Sequence, residues 1–302
     1  MQPYDSRSQA IPASSSWASI KCCGIGPPLD LGRLFQFAAE GDFVRLVLHV
    51  PHSSRHIPAN ERQSLMLSDD ELKQELLHMT DAYTDELFGI PHAVTVRYPV
   101  SRLVADPERF EDDAEEVMTK VGMGVIYTKT CCGQPLREPP SPEERKAILA
   151  QYYDAHHQIL TRAVNEALTS SGSCLVIDCH SFPHLPLPYE LDRNPLRPDV
   201  CIGTDEFHTP GALKNVLVSQ FTGLGYAVAV NHPFSGTIVP SQFYRKDKRV
   251  RSAMIEVNRC LYMDEGNGTK SGRFDEIRDE LSEVLSMLSQ TEHREMDENS
   301  AN

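Results

Sequence analysis

Apolar residues along this chain fall into short continuous runs that alternate with longer segments in which they recur every three or four positions. The runs near 44–50, 94–98, 174–178, 200–202, 226–230 and 252–257 predict strands, and the segments near 69–80, 142–169, 210–223 and 272–289 predict helices. The best-marked helix start is Ser141, a serine N-cap followed by Pro142 at the first helical position and Glu144 three residues on. Ile148, Leu149, Tyr152, Ile159, Leu160, Ala163, Val164 and Leu168 then form one stripe, which Gly172 ends. Such alternation predicts a sheet with helices on its faces, and the near-continuous apolar runs are those of parallel strands covered on both sides. The irregular stretches 99–141 and 181–200, rich in Pro and charge, read as site-forming loops.

With 302 residues, 40% of them hydrophobic, the chain can bury one large core. The expected organisation is a flexible tail and lead-in over 1–40, one α/β domain over 41–290 and a polar tail over 291–302. The first residues are rich in Ser, Ala and Gln, with only Arg7 and Lys21 as bases near the start, and lack the apolar core of a secretory signal. A net charge of −14 argues against a nucleic-acid partner, and no apolar run approaches the roughly 20 residues of a membrane span. The eight cysteines include the adjacent pairs Cys22/Cys23 and Cys131/Cys132, while Cys174 and Cys179 fall inside predicted strands. This is reduced-thiol usage, which predicts a cytoplasmic protein, and the absence of any C-x-x-C spacing argues against a cysteine-built zinc site.

Candidate chemistry gathers at strand ends. His52 closes the run LVLHVPHSS, His180 closes CLVIDCHSFP, Asp178 lies two residues before His180, and Glu256 ends the run in SAMIEVNRC. Two imidazoles accompanied by carboxylates at the edge of an α/β sheet are what a zinc hydrolase requires: three protein ligands, a position left for water, and a base. Alternation along the strand puts Asp178 on the face of His180, where it can orient the imidazole, and turns Cys179 to the opposite face, away from a nucleophile's role. Histidine and carboxylate ligands would also accept Co²⁺ or Mn²⁺.

The series PHSSRHIP, TDAYTDELF, PVSRLVADPERF, VIDCHSFP, VNHPFSGTIVP and MIEVNRCLYM resembles the N-formylglutamate amidohydrolase family, in order and spacing, over roughly residues 44 to 265. The resemblance implies a single-domain α/β fold related to the zinc carboxypeptidases and aspartoacylase-like deacylases, with a mixed, mostly parallel sheet flanked by helices. It also implies hydrolysis of the amide of an N-formyl or N-acyl acidic amino acid with one zinc ion. His52 and His180 are then metal ligands, and a carboxylate of TDAYTDELF is the third. Asp81 and Asp85 both qualify; Asp81 is preferred, on the reading that Thr80 and Asp81 cap a short helix running to Phe88. Glu256 is the expected general base. Arg102 and Arg109 match the family's substrate arginines, Asn231 and the Pro233–Gly236 turn match its pocket wall, and His157 stands where the family carries a histidine. Glu108 departs from the commoner pattern, in which Asn precedes the second arginine, and puts the identity of the substrate at issue.

Overall fold

Six strands pair in the order β2-β1-β3-β6-β4-β5, where β1 is Val44–Val50, β2 Val94–Arg97, β3 Ser173–Phe182, β4 Val200–Gly203, β5 Val228–Val230 and β6 Val250–Asn258. The computed structural model describes residues 44–289; the predicted tails 1–40 and 291–302, with Arg7, Lys21, Cys22 and Cys23, lie outside the described residues. Neighbouring strands run parallel except β4 and β6, so the sheet is mixed and mostly parallel, as the alternation of elements predicts. β3 runs beyond its predicted end because Cys179 through Phe182 continue to pair with Ile255 through Asn258 of β6. All ten positions of β3 are buried, as a central strand covered on both faces requires.

The helices are α1 (Ala59–Arg62), α2 (Asp69–Met79), α3 (Thr84–Leu87), α4 (Pro142–Ile148), α5 (Ala155–Ser171), α6 (Gly211–Gly223) and α7 (Phe274–Ser289). Ser141 and Glu144 form the expected capping box at α4, and Ser68 with Glu71 forms another at α2, each worth about 1 kcal/mol to its helix. The predicted helix 142–169 is two helices joined by a π-helical segment, Leu149–Asp154. One stripe residue is corrected: Ile159 is exposed, and the buried line runs through Leu149, Tyr152, His156, Leu160, Ala163 and Val164. A buried histidine fills the place on that line where a polar residue suggests solvent.

The sheet face under α5 explains where chemistry can sit. Val47, Cys174, Val176 and Val250 share that face and join Leu160, Val164 and Ala167 of α5 in one apolar cluster. Further along the same face, at the same alternation, come His49, Asp178, His180, Met254 and Glu256. The helix thus packs the N-terminal half of the strands and leaves their C-terminal half to polar groups, at the strand ends where open α/β sheets bind ligands.

Candidate active site

The residues that converge come from three strand ends and two loops. His52 follows β1 by two residues, and its carbonyl accepts the backbone N–H of Asp81 at 3.0 Å, which ties the two turns together. Asp81 stands just past α2. Thr80 is the C-cap of that helix, and Tyr83, at φ 68°, is the N-cap of α3, so the predicted short helix is real but Asp81 precedes it as part of a turn and does not cap it. Asp85 lies inside α3 and accepts from Arg97 at 2.6 Å, turned away from the cluster. His180 and Glu256 are cross-strand partners of β3 and β6.

His52, Asp81 and His180 bring one ligand atom each to within 4.8 Å of one another, all buried. Asp81 Oδ2 lies 3.1 Å from His180 Nδ1 and 3.6 Å from His52 Nδ1. The other oxygen, Oδ1, accepts from Arg259 Nη2 at 2.9 Å. Among the described residues, the buried His52 Nδ1 and Glu256 Oε2 find no hydrogen-bond partner. Two orphaned buried polar atoms facing one small region mark where a ligand belongs, because each costs on the order of 1–3 kcal/mol unpaired.

Behind the cluster lies a shell of fixed partners. His52 Nε2 is 2.8 Å from Asp106 Oδ1, and Asp106 is held in turn by Arg102 through two hydrogen bonds, by the Tyr127 hydroxyl and by the Glu108 backbone N–H. His180 Nε2 is 3.1 Å from Asp178 Oδ1, which puts Asp178 in the orienting position expected of it. The same oxygen is 2.8 Å from His49 Nδ1, and His49 Nε2 is 2.8 Å from His156 Nε2. His49, Asp106, His156 and Arg259 went unassigned in the sequence. A histidine interrupting the apolar run of β1 was the available signal for His49; Asp106 and Arg259 lie within motifs already singled out; nothing local marks His156.

Electrostatics follow from burial and these pairings. Burial pushes Asp81 up, yet His180, His52 and Arg259 outweigh it and hold the carboxyl well below its usual range. Burial pulls His180 down, yet Glu108, Asp178 and Asp81 outweigh it and hold the imidazole well above the usual histidine range. Glu256 is pushed up to about 8 by burial, and His156 is pulled down to about 2 by burial.

A cleft of about 900 Å³ opens over the cluster, and Arg102, Arg109, His157, Tyr189 and Arg259 line it with the histidines and Glu256. Of the two expected substrate arginines, Arg102 is committed to Asp106, whereas Arg109 Nε is buried without a hydrogen-bond partner, 3.6 Å from Asp106. Glu108 is drawn into the cluster, its carboxylate 3.1 Å from His180 Nε2 and 3.6 Å from His49 Nδ1. His157 Nε2 sits 2.8 Å from the Pro107 carbonyl and steadies that loop. Asn231 is not brought to the cleft. It is exposed, its amide is spent on the backbone N–H and hydroxyl of Thr204, and its neighbours Pro233 to Ile238 line the cavity instead. Cys179 points to the opposite face of β3, its thiol 3.3 Å from the Ile177 carbonyl.

Among the described residues no helix is long and apolar enough to cross a membrane. The fold matches a crystal structure of N-formylglutamate amidohydrolase from Ralstonia eutropha JMP134, with a TM-score of 0.72 and 24% identity over 84% of this chain and 96% of that one. It also matches the Agrobacterium tumefaciens gene product Atu2144, with a TM-score of 0.55 and 21% identity over 84% of this chain and 94% of that one. No curated protein sequence matches the chain. Residues 44–263 match the sequence pattern of the N-formylglutamate amidohydrolases across all the elements that build the cleft, and the chain belongs to that family.

Proposed function

We propose that the protein hydrolyses the amide of an N-formyl or similarly N-acylated acidic amino acid, N-formyl-L-glutamate before others, with one divalent ion, zinc, held by His52, Asp81 and His180. The observation that carries this reading is the pair of orphaned buried atoms, His52 Nδ1 and Glu256 Oε2, at the cluster. The donor set fits: two imidazoles and a carboxylate are the ligands of a hydrolytic zinc site. The adjoining set of His49, Glu108 and Asp178 fits less well, since it offers one imidazole and two carboxylates. When bound, the ion acts as a Lewis acid that lowers the pKa of water to about 7 and polarises the carbonyl.

The rest of the chemistry belongs to side chains. Glu256 takes a proton from water as its oxygen adds to the amide carbon, and returns that proton to the leaving nitrogen as the C–N bond breaks, giving formate and glutamate. Burial, with the nearby carboxylates of Asp81 and Glu108, pushes Glu256 up to about 8, and a cation beside it favours the carboxylate a base needs. Asp106 and Asp178 fix the histidines, a role that metal-bound imidazoles usually require. Arg109, paired with Asp106 at 3.6 Å but with its Nε free of a hydrogen bond among the described residues, offers a guanidinium for a substrate carboxylate, and Arg102 supports Asp106 at the cleft wall.

Formate release from N-formyl-L-glutamate compared with N-formyl-L-leucine tests the reading. Wild type should strongly prefer the acidic substrate, and Arg109→Ala should lower kcat/KM for it by roughly 10²-fold while flattening the preference. Equal wild-type rates on both would remove the carboxylate contact and favour a broader N-acyl-amino-acid hydrolase. No turnover of any acylated amino acid by zinc-loaded protein would favour a non-catalytic binder of acidic metabolites.

A further inference from the structure

A second cluster of donors stands at the last turns of α2. We propose that Glu75, His78 and Cys131, with the neighbouring Cys132 closing the fourth position, bind a second divalent cation of the zinc class through thiolate. Glu75 and His78 are three residues apart on α2 and so share a face, while Cys131 and Cys132 arrive from the turn in the 99–141 loop. Glu75, His78 and Cys131 each place a ligand atom within 4.8 Å of the others.

Two of the distances from the Cys131 sulfur are those of tetrahedral edges. A zinc ion with Zn–S near 2.3 Å and Zn–N near 2.0 Å implies S···S edges of about 3.8 Å and S···N edges of about 3.5 Å. Cys131 Sγ lies 3.8 Å from Cys132 Sγ, 3.6 Å from His78 Nδ1 and 3.1 Å from Glu75 Oε2. Charge points the same way. Glu75 is 5% exposed, and the hydrogen bonds of its carboxylate come from the backbone N–H and the thiol of Cys131, with no ion pair to a Lys or Arg among the described residues. A buried carboxylate beside the Cys131 thiol and within reach of the His78 imidazole is a donor set short of a cation. Binding replaces the thiol protons, which pass to solvent, and the ion offsets the buried negative charge. Cys132 is exposed and His78 lines the catalytic cleft, so the ion has an entry path.

This site shares no ligand with His52, Asp81 and His180, yet the two are mechanically joined. The His78 carbonyl accepts from Arg259 Nη1 at 2.6 Å, and the same guanidinium holds Asp81. An ion here would therefore pin the last turn of α2, from which Asp81 emerges.

Cobalt titration of the reduced, full-length, metal-free chain separates the two sites, because only a thiolate ligand gives the near-ultraviolet charge-transfer band of Co²⁺. That band should appear in wild type, persist in His180→Ala and vanish in Cys131→Ser, with zinc content falling from about two ions per chain to about one in the last. Absence of the band in wild type, or its survival in Cys131→Ser, overturns the proposal. Should Cys131→Ser fail to fold, Cys132→Ser and His78→Asn serve instead. Each should weaken the thiolate-bound cobalt by about 10-fold or more, and unchanged affinity in both overturns it.

Discussion

The two halves of the site are held by different forces. His180, Asp178 and Glu256 sit on β3 and β6, where ladder hydrogen bonds and cross-strand register fix each Cβ. Asp81, Arg102, Asp106, Glu108 and Arg109 sit on loops and are fixed by one another, through ion pairs to His52 and Arg259 and a hydrogen bond from the Tyr127 hydroxyl. A strand-borne group keeps its place when its neighbour is changed. A loop-borne group does not, so the same substitution should remove one function on the strands and several in the loops.

The largest effects are expected on the strands. His180→Ala should abolish stoichiometric zinc binding, and Glu256→Gln should keep zinc and fold while lowering kcat by ~10² to 10⁴, since a base acts on the transition state. Near-normal turnover in Glu256→Gln would assign the base elsewhere, with Asp178 the next candidate. In the loops, Asp106→Asn touches no expected ligand atom of the ion, yet it should weaken zinc affinity about 10- to 100-fold by freeing His52 and Arg102 together. Unchanged affinity in a competition titration would show that the loop half stands without its ion pairs.

pH probes the contrast more gently. His180 is held well above the usual histidine range, so at neutral pH the metal-free imidazole is protonated and zinc must displace that proton. Affinity should therefore fall as pH is lowered, by about tenfold per unit for one proton displaced, and a flat profile from about pH 6 to 8 would show that His180 is neutral before the ion arrives. The smallest effect belongs to Asp85→Asn, which should leave metal content unchanged where Asp81→Asn loses it; loss in the first alone would exchange their roles.

The same divide governs what was legible beforehand. Alternation alone places Asp178 and His180 on one face and Cys179 on the other, because period two is a local property of a strand. The ten predicted strands and helices recur near their predicted positions, with 142–169 broken by its π-helical segment. Asp81 joins the cluster for a reason other than the helix cap first assigned to it, since the turn after α2 depends on a backbone hydrogen bond to His52 across the fold. Asp106 and Arg259 act through partners 54 and 178 residues away, and no local pattern carries such a pairing. Ile159 and His156 show the limit of reading polarity as exposure: the histidine is buried because another histidine, His49, receives it.

The alternation along β3 has a consequence for which changes in length the chain can tolerate. Every second residue of the strand faces α5 and the cleft, and the remainder face the other layer, so inserting or deleting one residue before Asp178 exchanges the two sets. Cys179 would then occupy the cleft and His180 would be driven into the apolar layer, replacing imidazole donors with a thiol in one genetic step. Even-length changes preserve parity but slide His180 off Glu256. β3 therefore has a fixed count, whereas the exposed 112–115 segment, between Arg109 and the 3₁₀ turn at Val117–Val121, lines no part of the cleft and can absorb added residues.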